Sequence, residues 1–134
     1  MKLVLDAGAL IALDRNDRAM WRRLKAAHLA GVLAVTHGGV VGQAWRGGGV
    51  RQASLARALA ALEVRALDES LGREAGKLLA RAGRSDVARA GRSDVVDAAL
   101  VLLADDDDQI VTSDAGDLAP LAQAAGRHLE LLPV

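Results

Sequence analysis

The chain has 134 residues, 51% of them apolar, enough to bury a core without staples, and its lack of cysteine excludes thiol chemistry, a zinc ribbon or a disulfide framework. With 28 alanines and 22 leucines the core is aliphatic and helix-favouring, while two tryptophans and no tyrosine or phenylalanine leave little for recognition by rows of stacked aromatic rings. The net charge of zero hides a division: residues 1–93 carry 16 basic and 8 acidic side chains and residues 94–134 carry 1 and 9, which suits a basic surface for a polyanion beside an acidic pocket for cations.

The first ten residues, MKLVLDAGAL, place an acid at position 6 with no long apolar run after it. This pattern predicts neither a signal peptide nor a membrane span, and hence a cytoplasmic protein. Periodicity then predicts a buried strand over Lys2–Asp6 and a helix over Asp17–Ala30, with Met20, Trp21, Leu24 and Leu29 at helical spacing. A second strand is expected over Val32–Thr36. A helix over Val40–Arg46 should end at Gly47, Gly48 and Gly49, because three consecutive glycines favour a turn. Further helices are expected over Val50–Leu62, Asp68–Ala82, Val95–Ala104 and Asp117–Ala125. Strands are expected over Glu63–Leu67, Gln109–Ser113 and His128–Leu132. Strands alternating with helices imply parallel pairing through right-handed crossovers, hence a three-layer α/β/α sandwich with a mainly parallel central sheet. Ligands of such sheets bind beyond the carboxyl ends of the strands, where Asp6 and Asp114 fall.

Residues 80–87 read ARAGRSDV and residues 88–95 repeat it, an eight-residue tandem duplication at 80–95. Eight helical residues turn through about 800°, so the helix face beyond would be rotated by roughly 80°. A surface excursion broken at Gly83 and Gly91 is expected instead, with Asp94 in the working register and Asp86 outside it.

Asp94 and Asp97 are three residues apart, as are Asp114 and Asp117, so each pair shares a helix face and repels. Three or more carboxylates gathered at strand ends have raised pKa values unless a cation sits among them. An all-oxygen set without histidine or cysteine suits a hard ion such as Mg2+. The same residues also read as helix caps, Asp94 and Asp114 at the N-cap with Asp97 and Asp117 as third helical residues. For Asp117 capping and ligation both stay open. Asp97 favours ligation, because its helix continues as AALVLLA with no evident solvent face. Asp6 favours it more, since it ends a buried strand where a structural acid has little to gain. The run Asp105–Asp108 reads as a solvated turn rather than a metal site. Gly38, Gly39 and Gly42 lack the lysine and spacing of a phosphate loop, and His28, His37 and His128 are scattered. Trp21 and Trp45 read as core or partner-facing anchors. Arg46 and Arg51, flanking the glycine turn, are candidates for RNA phosphates or else ordinary solvated arginines.

In order, VLDAGALIAL, VVGQAWRGG, DVVDAALVLLA and IVTSDAGDL resemble the motifs of PIN-domain ribonucleases, and most nearly the VapC-type toxins of bacterial toxin-antitoxin pairs. The resemblance spans the chain apart from the duplicated octapeptide and implies that residues 1–134 form a single PIN-like domain. It implies a metal-dependent endoribonuclease that hydrolyses RNA phosphodiester bonds with Mg2+ or Mn2+. Asp6, Asp97 and Asp114 match the family's first, third and fourth acids. Thr112 and Ser113 match the hydroxyl-bearing residues before the last acid, and Asp94 and Asp117 are placed to assist through water. Gln43 departs from the pattern, standing where many relatives have glutamate, so one negative charge is missing at the ion. A cognate antitoxin that inserts a basic side chain into the acidic pocket, and a homodimer, are the partners implied.

Two other readings compete. One is a catalytically weak or inactive PIN-like protein that acts by binding a protein partner. The other is a phosphatase or phosphate-accepting receiver, which would require a second acid near the first strand or a lysine late in the chain; position 8 is Gly8 and the last lysine is Lys77.

Overall fold

The computed structural model describes residues 1–83 and 94–134. Five strands, β1 (Lys2–Leu5), β2 (Leu33–His37), β3 (Glu63–Arg65), β4 (Gln109–Thr112) and β5 (Glu130–Pro133), form one sheet in the order β3-β2-β1-β4-β5. Every pairing is parallel, with Leu5 opposite Val111 and Val4 opposite Val35. The α/β class and parallel sheet expected from the sequence are therefore present. The carboxyl ends of the strands shift by one or two residues from the expected positions, and the last strand begins at Glu130 rather than His128. The expected excursion of the duplicated segment, and the position of Asp86, lie outside the described residues.

Seven α-helices connect the strands among the described residues: α1 (Ala7–Asp14), α2 (Arg18–Leu29), α3 (Gly38–Ala44), α4 (Ala53–Ala60), α5 (Glu69–Gly83), α6 (Val95–Leu103) and α7 (Ala115–Ala124). Helices α1 to α4 pack among themselves, as do α5 to α7, an arrangement compatible with two helical layers around the sheet. The chain leaves β1 towards β2 and β3, then returns past both to β4 and β5. Under the right-handed crossover rule, this reversal puts the connections on opposite faces and opens a crevice between the carboxyl ends of β1 and β4.

Helix α1 is absent from the sequence reading. Its residues AGALIALD are apolar on nearly every side, so they carry no amphipathic period, and Ala9, Leu10, Ala12 and Leu13 are all buried. Glycine begins α3 at Gly38, two residues before the expected start, because the buried His37 ring accepts a hydrogen bond from Gly39 N at 3.1 Å and caps the helix. The segment read as one helix from Val50 is a short 3-10 turn, Val50–Gln52, followed by α4. Helix α3 ends at Ala44, two residues before the expected Arg46, because Trp45 already adopts extended backbone (φ -76°, ψ 132°). Gly47, Gly48 and Gly49 follow with positive φ (119°, 71° and 69°) and form the expected turn without being what stops the helix.

The aspartate run before β4 is the solvated turn expected at Asp105, Asp106 and Asp107, which are exposed, but not at Asp108. Asp108 is 2% exposed, accepts hydrogen bonds from Lys2 N (2.6 Å) and Asp105 N (2.8 Å), and pairs with Lys2 Nζ at 2.9 Å. Asp105 pairs with the same ammonium at 2.6 Å, and Asp106 accepts from His128 N at 2.7 Å. A carboxylate run that looks like surplus charge is thus a fastening between β1, β4 and the approach to β5, at the sheet edge opposite the crevice.

Candidate functional site

The crevice between β1 and β4 is a cleft of about 240 Å³ whose walls include Asp6, Asp94, Asp97, Asp114 and Asp117, together with Gln43 and Ser113. All five aspartates singled out in the sequence reach one cavity, and no lysine, arginine or histidine lines it among the described residues. Val40, Val96 and Leu100 form its apolar wall.

Asp6 directly follows β1 and is the N-cap of α1. Its Oδ1 accepts from Ala9 N at 2.9 Å, and its Oδ2 accepts from Ser113 N at 3.1 Å. The expectation that an acid here has little structural use is overturned. The reason is α1 itself, which supplies unsatisfied N–H groups just beyond the strand. Each carboxylate oxygen has a second lone pair, so capping leaves Asp6 able to ligate as well. Its backbone N–H also extends the sheet ladder to Val111 O at 3.1 Å, and Thr36 Oγ1 donates to Leu5 O at 2.9 Å, so the strand end is rigidly placed.

Gly8 faces this corner. A Cβ there would lie 2.3 Å from Ser113 Oγ and 3.2 Å from Asp6 Oδ1, so only glycine lets α1 approach β4 this closely. In the sequence the only signal for this role of Gly8 is its closeness to Asp6.

On the opposite wall Asp94 caps α6, its Oδ1 accepting from Asp97 N at 3.0 Å. The capping reading therefore holds for Asp94. Asp97 in the first turn is held well above the usual carboxylate range, at about 6, by burial and then by the negative charges of Asp94, Asp117 and Asp114. Asp114 occupies the N-cap position of α7, but its side chain makes no cap hydrogen bond. Its backbone N–H donates instead to the buried Thr112 Oγ1 at 2.8 Å, so Thr112 fixes the strand-to-helix turn that carries Asp114 and Ser113. Asp117 is the third residue of α7, in its first turn, where the capping reading placed it; the helix begins at Ala115, two residues before the start expected from periodicity.

A residue dismissed as scattered joins the two walls. His37 is fully buried; Gly39 N donates to its Nδ1, so Nε2 carries the proton and donates to Val96 O at 2.9 Å. One imidazole thereby fastens the start of α3, which bears Gln43, to the first turn of α6, which bears Asp97. Burial holds its pKa below the usual histidine value. Its position between a strand and two glycines, where Ser, Thr or Asp would commonly cap, was the signal in the sequence.

Neither Arg46 nor Arg51 lines the cleft. Arg46 Nη1 donates to Gly42 O (3.0 Å) and Trp45 O (2.8 Å), closing the carboxyl end of α3, and Arg51 is exposed. Trp21 is a half-buried anchor, its Nε1 donating to Leu13 O at 3.1 Å, whereas Trp45 is 37% exposed.

Asp6, Asp97 and Asp114 offer the hard oxygen donors that a divalent cation requires. Their charges converge from three elements, although among the described residues no group of three or more acidic, histidine or cysteine side chains is arranged so that it could hold a metal ion. The carboxylates share a cavity without closing on a single point, the arrangement expected of like charges that repel. No helix among the described residues is long and apolar enough to cross a membrane. In comparisons with known proteins, no family model matches this chain and no curated protein matches it significantly.

Proposed function

We propose that the chain is a PIN-like, metal-dependent endoribonuclease that hydrolyses RNA phosphodiester bonds and serves as the toxin of a bacterial type II toxin-antitoxin pair. The observation that carries this reading is the convergence of five aspartates on one cleft at the carboxyl edge of a parallel sheet, with no basic side chain lining it among the described residues. Such charge is costly unless a cation offsets it, and Asp97 already bears that cost as a raised pKa. The four ordered motifs resembling PIN-domain ribonucleases supply the rest.

In this mechanism Asp6, Asp97 and Asp114 would hold Mg2+ or Mn2+, which would supply a more acidic water and positive charge to offset that building on the phosphate. Asp6 is oriented by Ala9 N and Ser113 N, and Asp114 by the turn that Thr112 fastens. Asp94 and Asp117, which line the same cleft, would assist through water. Gln43 offers a carbonyl oxygen in place of a carboxylate, which weakens the site. The apolar wall of Val40, Val96 and Leu100 limits bulk water on one side. On this reading the protein works in the cytoplasm, pairs with an antitoxin whose basic side chain enters the same cleft, and forms a homodimer.

The test is incubation of the purified chain with total RNA, with and without Mg2+ or Mn2+, against Asp97→Asn. Metal-dependent cleavage that the substitution abolishes is expected; cleavage that survives it removes Asp97 from the site. A second reading, a PIN-like protein that binds a partner with little activity, is favoured by Gln43 and by the spread of the carboxylates. It is the outcome if no RNA is cut while the folded protein binds its antitoxin.

A further inference from the structure

The cleft's own charge poses a problem for an RNA substrate. Five carboxylates repel a polyanion, so the affinity for RNA must come from beside the cleft. The adjoining element on the α3 side is the loop from Trp45 to Arg51, two residues beyond Gln43. This loop is built rather than loose. The buried side chain of Gln52 closes its neck, with Oε1 accepting from Arg46 N (2.8 Å) and Gly48 N (3.0 Å) and Nε2 donating to Ala44 O at 3.1 Å. Three consecutive left-handed glycines set its path. Gly48 lies against the indole, since a Cβ there would stand 2.5 Å from Trp45 Cζ2. With Gly48 against one side of its indole, Trp45 as a residue remains 37% exposed. Arg46, itself exposed, is folded back onto the carboxyl end of α3, while Arg51 at the far end of the loop is exposed and has no ion pair among the described residues.

We infer that this loop is a nucleobase platform: an unpaired base flanking the scissile phosphate stacks on Trp45, and the neighbouring phosphate meets Arg51. A ring needs a flat, rigid support to stack, and stacking tolerates any base, so the platform selects single-stranded RNA without reading sequence. The guanidinium fork matches phosphate oxygens, and its contribution falls with salt. The inference deepens the ribonuclease reading and rests on it for the choice of ligand.

The test uses binding alone, in EDTA, with Trp21→Phe so that Trp45 is the sole indole. A single-stranded RNA hexanucleotide is expected to quench its emission saturably, whereas ribose 5-phosphate is not. Trp45→Ala should weaken binding about tenfold, Trp45→Phe should keep most of it, and Arg51→Ala should weaken it several-fold at low salt, all with Mn2+ affinity unchanged. RNA bound without quenching, bound equally by Trp45→Ala, or not bound at all overturns the platform. So does an emission change that depends on protein concentration and not on RNA, which would mark a self-association face. Cleavage without quenching removes the platform alone, and quenching without cleavage removes the nuclease reading alone.

Discussion

Replacing Asp97 by asparagine should make the protein more stable while destroying its proposed activity. In the native state burial and the charges of Asp94, Asp117 and Asp114 raise this carboxyl from 3.8 to about 6. A folded-state pKa above the unfolded one means that the native state binds the extra proton. The stability this gives is full below about 3.8 and is lost as pH rises through about 6. The displacement converts to about 3 kcal/mol. The side chain keeps partial contact with solvent, which screens this to about 1 to 2 kcal/mol. Asparagine has the same shape without the charge, and the backbone bond from residue 97 to Asp94 Oδ1 remains. At pH 7.5 in EDTA, Asp97→Asn should therefore unfold about 1 to 2 kcal/mol harder, a rise of about 3 to 7 °C in Tm. The gain should vanish near pH 4. Urea and thermal unfolding followed by circular dichroism across pH 4 to 7.5 measures it. Saturating Mg2+ should reverse the order, because binding to the native wild type adds stability that the variant cannot gain. A variant that is equally or less stable at pH 7.5, or whose advantage does not change with pH, refutes the account of Asp97 as charge held against its own interest.

Gly8→Ala places a methyl 2.3 Å from Ser113 Oγ and should cost about 1 to 3 kcal/mol in urea unfolding while lowering cleavage at least tenfold. His37→Ala loses a cap and a buried bond to Val96 O, a cost of about 2 to 4 kcal/mol by the same assay. Because burial lowers the His37 pKa, its contribution is full above about 6.5 and is lost as the pH falls below that value, and the variant should lack this acid limb. Gln43→Glu should raise Mn2+ affinity several-fold by calorimetry, and unchanged binding would show that the side chain does not face the ion.

The sequence made the architecture legible where burial follows a period. The strand runs Leu3–Leu5 and Ile110–Val111 are apolar because both sheet faces are covered, and their ends located the acids. It hid α1, whose helical residues are buried on several sides and so leave no stripe to read. That omission distorted the reading of Asp6, since a cap is recognisable only with its helix in view. It also hid pairings set by distance in the fold. Asp108 looked like surface charge until β1 brought Lys2 beside it, a separation of 106 residues. His37 looked solitary because Val96, its partner, stands 59 residues away. The gathering of the five aspartates, by contrast, was legible: each follows a strand end or opens a helix beside one, and parallel topology sends those points to one edge.

That gathering is best tested by titrating the metal-free protein with Mn2+ and following the free-ion signal by electron paramagnetic resonance. One site per chain is expected, weakened at least tenfold in both Asp97→Asn and Asp114→Asn, with both variants folded. No saturable site in the wild type, or one that both substitutions leave intact, would contradict the claim that these carboxylates share an ion.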